Sequence, residues 1–156
     1  MTARIRRARG EDHAALVELW LHLVDYHRQL APDFPVLPGI REVIAGEVRR
    51  GAQRDSCRLF VVEERGQLVG FLFAEIETPT TPSTEPPPAW IHELWLEPEA
   101  RGRGLGAELL AEADAFFASR GVRRLSVRVE TANGAGLEFW SRHGFLERAR
   151  ILERGT

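Results

Sequence analysis

The 156-residue sequence contains no lysine, and all 21 of its basic residues are arginine. A Walker phosphate loop is therefore excluded, because its G-x-x-x-x-G-K-[ST] pattern needs a lysine against the phosphates. Cys57 is the only cysteine, so neither an internal disulfide nor a thiolate zinc cluster can form. A catalytic thiol would need a histidine partner that the pattern does not place, and Cys57 reads as a buried structural residue. Tyr26 is the only tyrosine. No apolar run approaches the roughly 18 residues of a membrane span. The arginine-rich start, Met1–Gly10, has no apolar segment after it that would make a signal peptide. A net charge of −2 exerts no general pull on nucleic acid. The expectation is a cytoplasmic protein with no membrane, nucleic-acid or metal partner.

What is present is ordinary for a folded domain. Hydrophobic residues make up 44% of the chain, enough to bury about two thirds of its unfolded surface in one domain spanning 1–156. The chain is organised around Trp90–Gly106, WIHELWLEPEARGRGLG. Trp90–Leu96 is an apolar run that reads as a buried strand, and Pro98 stops it because it has no N–H for a ladder. Arg101-Gly102-Arg103-Gly104-Leu105-Gly106 then leads into a helical pattern. Glycines allow close backbone approach, and a helix start offers unpaired N–H groups at its positive dipole end. With two arginines beside it, this is a cradle for a pyrophosphate. A Rossmann turn is the weaker alternative. Gly102-x-Gly104-x-x-Ala107 fits G-x-G-x-x-A and Glu130 lies where a ribose-binding acid would sit. Against it, five residues separate the strand from the first glycine and only 26 follow Glu130.

Arg101-x-x-Gly104-x-Gly106 after ELWLEPEA closely resembles the acyl-CoA loop of the GNAT superfamily of N-acetyltransferases. Asn133-Gly-Ala-Gly-Leu-Glu-Phe-Trp-Ser-Arg-His-Gly-Phe145 resembles that superfamily's second motif, N-x-x-A/S-x-x-x-Y-x-x-x-G-F. Together they span about a third of the chain, in the superfamily's order and spacing. The resemblance implies a single-domain α/β GNAT-like fold with a central mixed, mostly antiparallel sheet flanked by about four helices. It implies acetyl-CoA as cosubstrate and a primary amine of a small molecule or peptide as acceptor. A homodimer is compatible with similar proteins, though no stretch specifies an interface. All acetylated lysines would belong to other molecules.

The remaining elements follow from periodicity and turn chemistry. Arg4–Ala8 reads as an edge strand, with Asp12 as the N-cap of a helix over His13–Gln29. Leu16, Leu19, Trp20, Leu23, Val24 and His27 share one face of that helix. Ala31–Gly39 is a proline loop, and Ile40–Arg50 a second helix stopped at Gly51. Leu59–Glu63 and Leu68–Glu75 form a hairpin. Thr78–Pro88 carries five of the nine prolines and reads as a surface loop, open as a lid or dimer contact. A helix over Leu105–Ser119 ends at Gly121, and Leu125, Val127 and Val129 alternate as a strand. Asn133 caps the last helix, which ends at Gly144, and Phe145–Leu152 is expected to be a final strand.

On this frame the resemblance assigns cofactor contacts to the backbone of Arg101, Gly102, Arg103, Gly104, Leu105 and Gly106, to Leu94, Trp95 and Leu96 of the strand, and to Asn133, Gly136, Phe139 and Trp140. Leu94 and Leu96 would pair with the pantetheine arm like an added strand, and one N–H could serve as an oxyanion donor worth ~3 kcal/mol. An alkylammonium is neutral in only about one molecule per thousand near pH 7.4, which makes a base useful. Glu93 is the favoured base, with His92 close behind. Simple alternation puts the two on opposite faces, so only one faces the pocket, and a bulge could change which one. His27, Asp33 and Phe34 are candidate substrate contacts, each with a plain packing or surface role as the alternative. Glu75, Glu77, Glu85 and Glu93 mildly favour a cationic acceptor. Trp140 stands where the superfamily usually carries a tyrosine acting as acid, and indole has no useful proton to give. Tyr26 becomes the candidate acid, and a non-catalytic acyl-CoA sensor of the same fold stays open.

Overall fold

The computed structural model describes residues 2–78 and 88–155. The expected proline-rich loop over residues 79–88, and Glu85 within it, lie outside them except for Pro88. Among the described residues, five strands form one sheet in the order β1 (Arg4–Arg7), β2 (Cys57–Glu64), β3 (Gln67–Ile76), β4 (Ala89–Leu96), β5 (Leu125–Val127). The first four pair antiparallel and β4 pairs parallel with β5. Helices α1 (His13–Leu30) and α2 (Ile40–Gln53) cover one face and α3 (Leu105–Ser119) the other, with α4 (Gly134–Arg142) near the open end.

Two cores result from the period-2 pattern of the central strands. Leu59, Val61, Phe71, Phe73 and Trp95 point to α1 and α2, where Leu16, Leu19, Trp20, Leu23, Ile44 and Val48 meet them. Val62, Leu72, Ala74 and Ile91 point to α3, against Leu105, Leu109, Ala113, Phe116 and Phe117. Both faces are covered, so β2 and β3 read as nearly continuous apolar runs. The hairpin between them turns at Arg65 and Gly66, both with positive φ (52° and 76°), the conformation of a type I′ turn.

Several sequence expectations are corrected. Gly51 does not stop α2. It is buried within the helix, where a Cβ would lie 2.8 Å from Leu59 Cδ1, so its small size lets α2 approach β2 closely. Asp12 does not cap α1 through its side chain. Its carboxylate accepts the Arg9 N–H (2.7 Å) and both terminal nitrogens of Arg6 (2.7 and 3.0 Å). The fifth strand ends at Val127 rather than Val129. The last helix ends at Arg142, and Gly144 turns the chain at φ 85°. Residues 145–152 form no strand. Leu146 and Leu152 are 86% and 91% exposed, and without a ladder partner a lone extended segment does not hold as a strand.

Candidate active site

The site lies where β4 and β5 part. Their parallel ladder runs from Ala89↔Leu125 to Ile91↔Val127 and ends there. On the other side of β4 the register with β3 shifts between Phe73 and Ala74, which pair with Glu93 and Ile91 and leave His92 as an extra residue. This bulge resolves the question of faces. Ile91 and Ala74 belong to the α3 side, whereas Phe73 and Trp95 belong to the α1/α2 side. Glu93, opposite Phe73, has therefore changed face, and His92, whose ring lies 5.5 Å from that of Phe73, shares its side. The expectation of opposite faces is overturned by one inserted residue.

Both side chains line a cavity of about 60 Å³ together with Leu23 and His27 of α1, Val127–Val129, and Asn133 and Trp140 at α4. Glu93 keeps some accessible surface, which it presents to this cavity, yet protein surrounds it on nearly every other side. Burial raises its carboxyl from 4.5 to about 8. Such a group holds its proton at neutral pH and exchanges it near the range where amines do.

His92 is placed differently. Its Nε2 lies 2.9 Å from Glu75 Oε2 and 3.7 Å from Glu77 Oε1. Glu75 is 8% exposed and also accepts from Arg50, which binds Glu47 as well (2.6 Å). Burial alone would raise the Glu75 carboxyl, but Arg50, helped by His92, outweighs it and holds the group below the usual range. Glu75, Glu77 and His92 bring three ligand atoms within 4.8 Å of one another. Since Arg50 already neutralises Glu75, the cluster reads as an ion-pair network and not as a cation site.

The open edge of β4 can be derived from its bonded one. Glu97 N–H donates to Val69 C=O (2.8 Å) on the β3 side. Antiparallel alternation then turns the N–H and C=O of Leu94 and Leu96 toward the other edge, which β5 no longer covers. The Leu96 carbonyl accepts from Arg101 Nε (2.9 Å) on that edge. Beyond it the chain passes a short turn, Pro98–Ala100, and then Gly102 and Gly104, with φ of 72° and 80°. No side chain caps α3 at Gly104, so the first N–H groups of its first turn point outward without an intrahelical acceptor. A Cβ at Gly106 would meet Phe139 Cε2 at 3.0 Å, which brings α4 against the start of α3. The two arginines are engaged within the protein. Arg101 stacks on Trp95 (4.6 Å) and Tyr26 (5.4 Å), and Arg103 pairs with Glu64 (2.6 Å).

Tyr26 crosses from α1 to this region. Its hydroxyl donates to Asn133 Oδ1 (3.3 Å), and Asn133 also accepts from the Gly136 N–H (2.9 Å), so the expected cap of α4 is formed. Trp140 is half-buried, with Phe139 and Phe145 each 5.0 Å from it. Of the candidate substrate contacts, His27 lines the cavity and stacks on Phe34 (5.0 Å), and burial lowers its imidazole despite Glu130. Asp33 is exposed and joins no part of the cavity. The pairing of Arg50 with Glu75 and the place of Leu23 in the cavity lining were not read from the sequence. An arginine in the last turn of α2 and a lone acid within an apolar strand were the only signals available for the pair.

Comparisons with known proteins converge on one family. The model of the "Acetyltransferase (GNAT) family" matches residues 19–145. A mycothiol acetyltransferase of Amycolatopsis mediterranei is 29% identical over 147 residues, 94% of this chain and 46% of that protein. The chain thus spans a little under half the length of this curated relative. A "predicted acetyltransferase with acetyl-CoA" from Clostridium acetobutylicum superposes with a TM-score of 0.80 at 16% identity, over 99% of this chain and 96% of that one. The aminoglycoside-type AAC(6′)-Iy in complex with a CoA bisubstrate analogue gives 0.73 at 19% identity, over 100% and 99%. At such identities the likeness is one of fold.

Proposed function

The chain belongs to the GNAT acetyltransferase family, and from that premise we propose that it transfers an acetyl group from acetyl-CoA to a primary amine of a small molecule or peptide. The observation that carries this reading is the position of Glu93, an enclosed carboxyl facing the cavity where β4 and β5 part. It lies on the strand whose unpaired edge at Leu94 and Leu96 leads to an uncapped, glycine-lined helix start.

The residues present fit the cosubstrate. The outward N–H groups of the α3 start suit a pyrophosphate, as oriented donors at a positive dipole end do. The free edge of β4 suits an amide-bearing arm, which would add to it as a strand does. Arg101 and Arg103, though engaged within the protein, stand beside the loop to meet phosphate charge. Phe139, Trp140 and Asn133 close the far side, as the family resemblance implies. Acetyl-CoA supplies an activated thioester. The chain's own work is to orient the amine and to take up its proton.

Glu93 takes that role better than His92. Its carboxyl has an affinity for protons close to that of a desolvated amine, whereas Glu75 already engages His92 Nε2. A thiol with pKa around 8.5 leaves tolerably as the thiolate, so Trp140 need not supply a proton. Tyr26, hydrogen-bonded to Asn133, is the hydroxyl available on that side. His27 stacked on Phe34 forms the wall beside which an acceptor would enter.

A second reading rests on Trp140: a module that binds acyl-CoA without turning it over. Calorimetric titration with acetyl-CoA, CoA and NADH, followed by thiol release against an amine panel, separates the two. Acetyl-CoA binding with amine-dependent thiol release is expected. Binding without release favours the sensor, and NADH binding or none overturns the assignment of the Arg101–Gly106 loop.

A further inference from the structure

Resting on the acetyl-transfer reading, we infer that Glu75, anchored by Arg50, is a positioning residue that holds His92 as the proton outlet for Glu93. The ladder of contacts runs outward from the cavity. Glu93 and His92 share one face only because of the bulge, and both line the same cavity. From His92 the chain continues to Glu75 (2.9 Å) and to the more exposed Glu77 (3.7 Å). Behind Glu75, Arg50 is itself fixed by Glu47 and by Phe73, whose ring lies 5.2 Å from its guanidinium.

The tautomer follows from this arrangement. Arg50 keeps Glu75 ionised, and an ionised carboxylate only accepts. His92 Nε2 must therefore carry the hydrogen, leaving the Nδ1 lone pair as the acceptor. After each turnover the proton taken from the ammonium sits on Glu93, and the next ammonium cannot react until it leaves. Transfer to Nδ1, directly or through water in the cavity, breaks the Glu93 O–H bond and forms an N–H bond. The resulting imidazolium lies between the carboxylates of Glu75 and Glu77, then releases its proton to solvent. Glu75 need not take the proton, since Arg50 opposes its protonation. The other titratable or charged groups lining this cavity are His27 of α1 and Arg128 after β5.

The inference departs from a structural ion pair in its readouts. In Glu75→Gln, kcat should fall roughly tenfold with KM for acetyl-CoA unchanged, and added imidazole buffer should restore it. His92→Gln should behave alike, whereas Glu75→Asp should retain most of the rate. Nitrogen NMR of the wild-type full chain without substrate should find His92 protonated at Nε2, and Glu75→Gln should mix the tautomers. Should Glu75→Gln fail to fold, His92→Gln and the wild-type spectrum carry the test alone. Undiminished kcat in His92→Gln, a deficit that buffer does not relieve, or an Nδ1–H ring in the wild type overturns the inference. Absence of amine-dependent thiol release from the wild type would instead overturn the acetyl-transfer reading, a different result.

Discussion

At the scale of the residue, Glu93 is where sequence chemistry and burial meet. An acid inside the apolar run WIHELWL has either a partner or a purpose, because an unpaired buried charge is expensive. Among the described residues its carboxyl joins no ion pair, and its only shift comes from burial. Replacing it by glutamine should reduce kcat by about a hundredfold or more while leaving acetyl-CoA affinity unchanged, measured by calorimetry and thiol release. The rate should rise with pH through about 8 as the carboxyl ionises, and this limb should vanish in the variant. A variant with an unaltered profile would move the base role elsewhere. His92 stood close behind it in the sequence, since nothing there shows that Glu75 occupies its Nε2.

At the scale of the element, the β4 bulge and the start of α3 do the positioning. The bulge turns two adjacent side chains to one face. The helix start depends on Gly104, whose φ of 80° strains any residue with a Cβ. Gly104→Val should abolish detectable acetyl-CoA binding in calorimetry, with a far-UV spectrum still native. Full binding would refute the loop assignment. Gly106→Ala meets a different obstacle, since its Cβ would press on the Phe139 ring. It should lower stability by about 1–3 kcal/mol in urea melts, the cost of overpacking. The glycine motif was legible because φ and close approach leave few alternatives. The bulge was not, because its register belongs to the pairing with β3.

At the scale of the whole molecule, the ionisable groups oppose one another. Arg6 holds the Asp12 carboxyl below its usual range against its burial, and Arg50 does the same for Glu75. The stability they contribute is lost as pH falls through those depressed values. Glu93 acts in the other sense. Its folded value lies above its unfolded one, so the native state binds more protons between 4.5 and about 8, and stability falls as pH rises through that window. The shift corresponds to roughly 5 kcal/mol at most. Thermal melts across pH should place maximal stability near the lower end of that window, while the rate keeps increasing toward 8. Glu93→Gln should melt higher than wild type at pH 9 and nearly alike at pH 4.5. Equal melting at both would mean that the carboxyl is not desolvated.

Sequence alone determined the central strands, the span of α3 and the glycine loop, because each rests on local signals: period 2, period 3.6, and glycine where a Cβ is excluded. The final strand over residues 145–152 failed for the same reason that the others succeeded. A strand exists only through a neighbour, and none pairs with it among the described residues. Tertiary structure alone decided that Tyr26 reaches Asn133 and that Arg50 reaches Glu75, contacts spanning 107 and 25 residues of chain. It also decided that Glu93 faces a cavity and not solvent. Those outcomes depend on which elements pack together, and no local pattern encodes that.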